Sequence, residues 1–291
     1  DPEFARAYAG LAIAYYFLDY DQTEKQYAEQ INNYSDKALL YDPQSPQSLI
    51  AKALFYIQQG EYASALPHLE KALEYHPNSA MVINILADFY TRYVPNTEKY
   101  LEYALRGIGL DIASYDSTTA SYIYLHIGNA FIQSGFVEEA ATYIDRSLAY
   151  DPGNLFSANV KAFIGYAQNG DLAQTKTALL KILAMDSTRL DVMQEVGKIS
   201  YFMRDYEEAS TSFRNFLDIK ERLHLDIYPE ENAKIAMVLR QRGLSREAEK
   251  HMQLFRDYAR GDQSIYQALN RAIVAAYEGA PSEAIEQLKD F

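Results

Sequence analysis

The sequence predicts an all-α fold, an α-solenoid of about eight stacked helix pairs. Three observations carry this. First, a phrase recurs: Leu40-Tyr41-Asp42-Pro43, Glu74-Tyr75-His76-Pro77 and Ala149-Tyr150-Asp151-Pro152, with Pro43 and Pro77 34 residues apart. Second, apolar and small residues between those prolines recur at steps of three and four, the period of an amphipathic helix. Third, a glycine divides several such stretches in two (Gly60, Gly135, Gly170 and Gly243), and a fixed repeat of this length is the signature of a helical array.

The unit at 44–77 shows the logic. Leu49, Ala53 and Tyr56 give one helix its apolar face, and Ala65, Leu69 and Ala72 give the next helix its face. Gly60 ends the first helix, because glycine adopts a left-handed turn at no steric cost. Pro77 stops the second, since it lacks a backbone donor. Before it, the unit at 3–43 carries Tyr8, Leu11, Ala12 and Tyr15, then about seven extra residues around Asp21–Tyr27 before Ala38 and Pro43. The unit at 78–112 keeps Leu86, Ala87, Tyr90 and Gly107. The unit at 113–152 matches well: Tyr124, Ile127, Gly128, Phe131, Gly135, Ala140, Ile144, Ser147 and Pro152. The unit at 153–187 keeps Tyr166, Gly170 and Leu179. At 188–228 come Met193, Val196, Gly197, Tyr206, Ala209, Phe213 and Phe216. At 229–261 come Ile235, Ala236, Leu239, Gly243, Ala248, Met252 and Phe255. The unit at 262–291 keeps Tyr277 and Ala284. Further stretched spacings at Tyr115–Ser121 and Ile219–Pro229 predict longer helices or loops, which a solenoid tolerates on its surface.

This large–small–aromatic–Gly–small–large–small–Pro pattern resembles the tetratricopeptide repeat (TPR), over essentially the whole chain. The resemblance implies a right-handed superhelix whose first helices line a concave groove. On that register the groove carries Asn84, Asp88 and Arg92, then His126, Asn129 and Gln133, then Lys161 and Gln168, then Gln194 and Lys198. Toward the N-terminus the same positions turn apolar: Tyr16, Phe17, Ile50, Leu54 and Ile57. TPR domains that grip acidic chaperone C-termini use Lys-x-x-x-Asn on a first helix. No lysine here has Asn four residues on, so a co-chaperone role is unsupported.

The opening phrase, Asp1-Pro2-Glu3-Phe4-Ala5-Arg6-Ala7-Tyr8-Ala9-Gly10-Leu11-Ala12, resembles the start of TPR arrays in bacterial signalling proteins. There the array follows an adenylate cyclase domain or a winged-helix domain. The resemblance implies a non-enzymatic scaffold that binds a protein or peptide in its groove, within a signalling or transcription-regulating protein. The alternative is a ligand-sensing domain taking a small molecule or short peptide. The chain starts on a repeat-closing Asp-Pro and ends at Phe291 inside a second helix, which reads as a piece of a longer protein. A truncated last helix would expose an apolar seam suited to a homodimer.

Composition narrows the chemistry. The 291 residues include 26 Tyr, 13 Phe, no Trp and no Cys, so disulfides, Cys-based zinc sites and cysteine nucleophiles are excluded. The longest apolar run, Leu11–Leu18, is far short of a membrane span. The net charge of −13 disfavours nucleic acid as a partner. It is uneven: residues 1–150 carry nine basic and nineteen acidic residues, the remainder eighteen and twenty-one. Arg240, Arg242, Arg246, Lys250, Arg256 and Arg260 cluster in the seventh unit, either as a solvated face or as a dock for an acidic partner. None of the five histidines forms His-Glu-x-x-His, and no phosphate loop or nucleophile elbow occurs. No catalytic residue, metal ligand or cofactor is therefore expected. The missing cysteines and the signalling resemblance point to the cytoplasm. Asn33-Tyr34-Ser35 is a glycosylation sequon, read as chance.

Overall fold

The computed structural model describes residues 4–264 and 266–289. Asp1-Pro2-Glu3 of the opening phrase and the terminal Phe291 lie outside the described residues. The described residues form sixteen α-helices, with two short 3-10 turns and no β-strand. The chain divides into two compact units, residues 1–171 and 172–291.

Unit 1 holds α1 (Ala5–Asp19), α2 (Ala28–Tyr41), α3 (Pro46–Gln58), α4 (Tyr62–Tyr75), α5 (Ala80–Arg92), α6 (Thr97–Arg106), α7 (Ser117–Gln133), α8 (Val137–Tyr150) and α9 (Leu155–Asn169). Odd-numbered helices are first helices of pairs, even-numbered ones second helices. Each second helix packs on its own first helix and on the next one, and first helices also touch one another, as α1 on α3 and α5 on α7. First helices therefore form a row of their own. One core runs through this unit from Ala9 to Ala130, with Ala53, Ala65, Ala87 and Leu69 wholly buried. The alanines let helices approach closely, and the large side chains fill the space between.

Helix boundaries follow local chemistry. Asn96, Asp116 and Asn154 cap α6, α7 and α9 by accepting from backbone N–H groups two or three residues on. At the first hairpin turn of the repeat, Gly60 has φ +74°, and Glu61 N–H donates to Tyr56 O at 2.9 Å. This is the C-terminal motif that glycine makes cheap. The same bond recurs at Phe136 to Phe131 and at Leu244 to Leu239. It also recurs from Asp205 to Ser200, but there Arg204 takes the left-handed conformation, with φ 63°. That is why no glycine marks the turn of the sixth pair.

Where the expected spacing stretches, the chain does three different things. Residues 20–27 form a loop, residues 107–116 form the two 3-10 turns, and α12 extends to Arg222 before a loop to Glu230. Between α7, α8 and α9 the small positions hold a buried polar network. Ser147 bonds Ser121 and Ser157 hydroxyls at 2.8 and 2.6 Å, and Asn154 Nδ2 donates to Ser121 Oγ at 2.9 Å. Each hydroxyl is satisfied, so burial carries no desolvation debt.

Unit 2 holds α10 (Leu172–Met185), α11 (Leu190–Phe202), α12 (Tyr206–Arg222), α13 (Glu231–Gln241), α14 (Ser245–Gly261), α15 (Gln267–Tyr277) and α16 (Pro281–Lys289). Its cores include Phe213, Phe216 and Ile235 between α12 and α13, Ala236, Met252 and Phe255 between α13 and α14, and Ala272, Ala275 and Ala284 between α15 and α16.

Candidate functional site: an apolar cleft on the first-helix face of unit 1

Three first helices build one cleft. Ile13, Tyr16 and Phe17 of α1 form one wall, Ile50, Leu54 and Ile57 of α3 the floor, and Met81, Ile85, Asp88 and Arg92 of α5 the other wall. Tyr20 and Tyr93, just past the ends of α1 and α5, close one end. Spacings such as 50, 54, 57 and 81, 85, 88, 92 place each set on one helix face. The volume is about 500 Å³. Phe17 is 64 % exposed and Met81 40 %, so the walls offer large apolar surface to an occupant.

The polar end is ordered by hydroxyls. Tyr16 and Tyr93 hydroxyls lie 3.0 Å apart, Tyr93 donates to Tyr20 at 3.4 Å, and Arg92 Nη1 donates to the Tyr20 hydroxyl at 2.8 Å. Burial raises the pKa of Tyr16, and burial with the neighbouring Tyr16 hydroxyl raises that of Tyr93. Both are neutral phenols and act as hydrogen-bond partners. Burial works against the charge on Arg92, yet the Tyr20 oxygen and Asp88 outweigh it and raise its pKa.

The extra residues after α1 are held by a buried carboxylate. Asp19 is 1 % exposed and accepts from Gln26 N–H at 3.0 Å, Tyr27 N–H at 2.7 Å and Gln58 Nε2 at 2.8 Å. Lys25 Nζ donates to the carbonyls of Asp19, Tyr20 and Gln22 at 2.7–2.9 Å, covering the C-terminal carbonyls of α1. This fixes Tyr20 at the mouth of the cleft. Burial raises the pKa of Asp21 on the same loop, opposed by Lys25 and Arg92.

Of the ten residues expected in the groove, eight lie in unit 1 and two in unit 2. Asp88 and Arg92 line the cleft, and Asn84 lies one turn earlier on α5. His126 on α7 faces Asp88, with Nδ1 4.0 Å from Oδ1. Its burial lowers the imidazole pKa, which Asp88 opposes and Arg92 reinforces, so the ring is neutral near pH 7. Asn129 is half-buried and Gln133 exposed on the same face of α7. Lys161 and Gln168 on α9 bind carboxylates of α8 instead: Asp145 at 2.7 Å and Glu138 at 3.0 Å. Gln194 and Lys198 belong to unit 2. Gln194 is buried, and Lys198 pairs with Glu195 at 2.6 Å and lies 3.7 Å from the buried Glu231.

Sequence reasoning placed Tyr16, Phe17, Ile50, Leu54 and Ile57 on apolar ground, and these are cleft residues. It missed Ile13, Met81, Ile85 and the Tyr20–Tyr93 end. The extra residues around Asp21–Tyr27 and a tyrosine at 93 with no repeat role were the available signals. Other tyrosines near the third and fourth units pack: Tyr100 and Tyr103 are buried, and Tyr115 donates to Asn78 O at 2.8 Å. The basic cluster of the seventh unit is largely engaged within unit 2. Arg242 pairs with Glu207, Arg256 with Glu249 and Glu278, and Arg260 with Asp257, while Arg240 stacks over Tyr277. Asn33 of the sequon lies within α2, beside a wholly buried Ser35.

Among the described residues no group of His, Asp and Glu is placed to hold a metal ion, and no helix is long and apolar enough to cross a membrane.

Paired helices of this length, closed by left-handed turns and stacked through small residues, define a TPR solenoid. More narrowly, the family described as the SusR N-terminal TPR domain matches residues 4–151, and the chain belongs to it. No curated protein matches the chain. Solved structures with the same fold include PilW, a type IV pilus biogenesis factor, at 16 % identity and TM-score 0.58 over 75 % of this chain and 95 % of that one. The Cut9–Hcn1 hetero-tetramer of the APC/C aligns at 13 % identity and TM-score 0.64, over 91 % of this chain and 49 % of that one. Human IFIT1, solved as a dimer with PPP-AAAA, aligns at 18 % identity and TM-score 0.62, over 99 % of this chain and 64 % of that one. Identities this low show the fold alone. TPR folds generally serve as protein–protein interaction scaffolds.

Proposed function

We propose that this chain is a non-enzymatic interaction module that binds a peptide or protein segment on its first-helix face, within a bacterial signalling or transcription-regulating protein. The observation that carries this reading is the cleft of unit 1, where three first helices leave large apolar side chains exposed beside ordered polar groups. The family description, an N-terminal TPR domain, suits a module that serves an attached output domain. The resemblance of the opening phrase to arrays on adenylate cyclase-like and winged-helix regulators supports the same context. The expected groove residues enter by unit: Asn84, Asp88, Arg92, His126, Asn129, Gln133, Lys161 and Gln168 on first helices of unit 1, and Gln194 and Lys198 on a first helix of unit 2.

Nucleic acid is a poor partner for a surface this acidic, and a cytoplasmic site of action fits the same reading. A homodimer through α16, which exposes Ile285 and Leu288, is the expected self-association. A second reading, a ligand-sensing domain, is favoured by the cleft's size, which falls within the range of small-ligand pockets.

The test is selection of peptides from a display library on the 291-residue chain. Selected peptides are expected to lose binding to Met81→Glu and Phe17→Ser and to keep it with Leu40→Ser on α2, where Leu40 is 74 % exposed. Binding lost only with Leu40→Ser would place the partner on the other face and refute the reading.

A further inference from the structure

We propose that the cleft of unit 1 takes a short zwitterionic peptide with a bulky apolar side chain, its ammonium group on Asp88 and its carboxylate on Arg92. The inference rests on the first-helix face of unit 1 being the binding surface, and it names the ligand.

Charge complementarity is the argument. Apart from tyrosines, Asp88 and Arg92 are the ionisable side chains that line the cleft. They have opposite signs and sit four residues apart on α5, which puts them side by side on the helix surface. The two favour each other's charge, but among the described residues they do not close into a salt bridge. Among the described residues Arg92 forms no ion pair, and its guanidinium donates to the neutral hydroxyl of Tyr20 at 2.8 Å. Asp88 faces the His126 ring at 4.0 Å, and burial keeps that ring uncharged near neutral pH. The nearby Lys25 is tied to three backbone carbonyls. A carboxylate and a guanidinium, with no salt bridge between them among the described residues, stand at the edge of an otherwise apolar pocket.

The volume sets the size of the ligand. A cleft of about 500 Å³ is more than one amino acid fills and lies within the range of small-ligand pockets, which makes a dipeptide the match. The apolar walls of α1 and α3 then receive its side chains, within a volume of about 500 Å³.

Isothermal titration of the 291-residue chain with capped and free forms of one dipeptide tests this. The probes are Phe-Leu, N-acetyl-Phe-Leu, Phe-Leu-amide, the doubly capped form and free phenylalanine. Free Phe-Leu is expected to bind, with each cap weakening it by about tenfold, as loss of a charge-assisted hydrogen bond does. In Asp88→Asn the acetyl cap should cease to matter while the amide cap still does, and Arg92→Gln should show the reverse. Both side chains are only partly buried, and a thermal melt of each variant reports folding. Equal affinity for free and doubly capped Phe-Leu would overturn the proposal while leaving the cleft as the binding face. Phenylalanine binding as tightly as Phe-Leu would overturn the assigned length. No binding by any probe up to millimolar concentration would overturn the proposal outright. The display selection above then decides separately whether the face binds anything.

Discussion

Replacing Gly128 by alanine sets two known effects against each other. In an unconstrained helix interior, Gly→Ala stabilises by roughly 0.5–1 kcal/mol, because glycine loses more backbone freedom on folding. Gly128 is not unconstrained. A Cβ there would lie 2.7 and 2.8 Å from Ile144 Cδ1 and Cγ1, and 3.4 Å from Ala140 O. Carbon atoms in good contact sit about 3.5–4.0 Å apart, so helix α8 must retreat by roughly 1 Å. Ile144 is wholly buried, so its side chain cannot turn aside into solvent. Overpacking of this kind costs about 1–3 kcal/mol, which exceeds the propensity gain. Gly10, inside α1 with nothing within 4 Å of its would-be Cβ, is the control. Urea unfolding followed by circular dichroism should show Gly128→Ala less stable than the parent and Gly10→Ala more stable. Ile144→Val alone should destabilise by about 0.5–1.5 kcal/mol. Combined with Gly128→Ala it should cost less than the two losses added, because it removes the nearest clashing atom. Equal stabilisation by Gly10→Ala and Gly128→Ala would refute the packing assigned to the α7–α8 seam.

Three other outcomes follow from the same structure. Arg204 holds a left-handed conformation that costs a non-glycine residue roughly 1–2 kcal/mol, so Arg204→Gly should raise the unfolding midpoint despite the entropy of glycine; a lowered midpoint would contradict the turn geometry. Asp19→Ala removes the acceptor of three hydrogen bonds and leaves buried donors unpaired, at about 1–3 kcal/mol for each donor left without water; hydrogen exchange should show fast-exchanging Gln26 and Tyr27 amides, and unchanged protection would contradict the anchor. Burial lowers the pKa of His68, His126 and His251, aided by Lys52 and Lys71 at His68 and by Lys250 at His251. The unfolded chain then binds more protons below the ordinary histidine value of about 6.5, so stability is full above that pH and falls as pH drops through it. Thermal melts at constant ionic strength from pH 8 to 5 check the sign, and a midpoint that rises toward pH 5 would contradict it.

The helix pairs were legible because the repeat imposes both a period and a punctuation. Ala53, Ala65, Leu69 and Gly60 can each be placed from spacing alone, since every unit must solve the same packing problem. The sixth pair hid its turn, because Arg204 adopts a conformation the sequence does not advertise. The cleft was half legible. The apolar residues of α1 and α3 follow from register, and so do Asp88 and Arg92. Tyr20 does not, since it lies outside the repeat and is placed by Asp19, whose three donors come from a loop and from α3. The polar positions further along were harder to weigh. Lys161 and Gln168 occupy first-helix positions, yet carboxylates on α8 claim them, and periodicity carries no record of such pairings.

The central claim is that partners bind the first-helix face of unit 1. Site-specific photo-crosslinking tests it most directly, with a benzophenone side chain placed at Met81 in the cleft or at Leu40 on α2. Bound peptide should crosslink through position 81 and not through position 40. Crosslinking through position 40 alone would contradict the account.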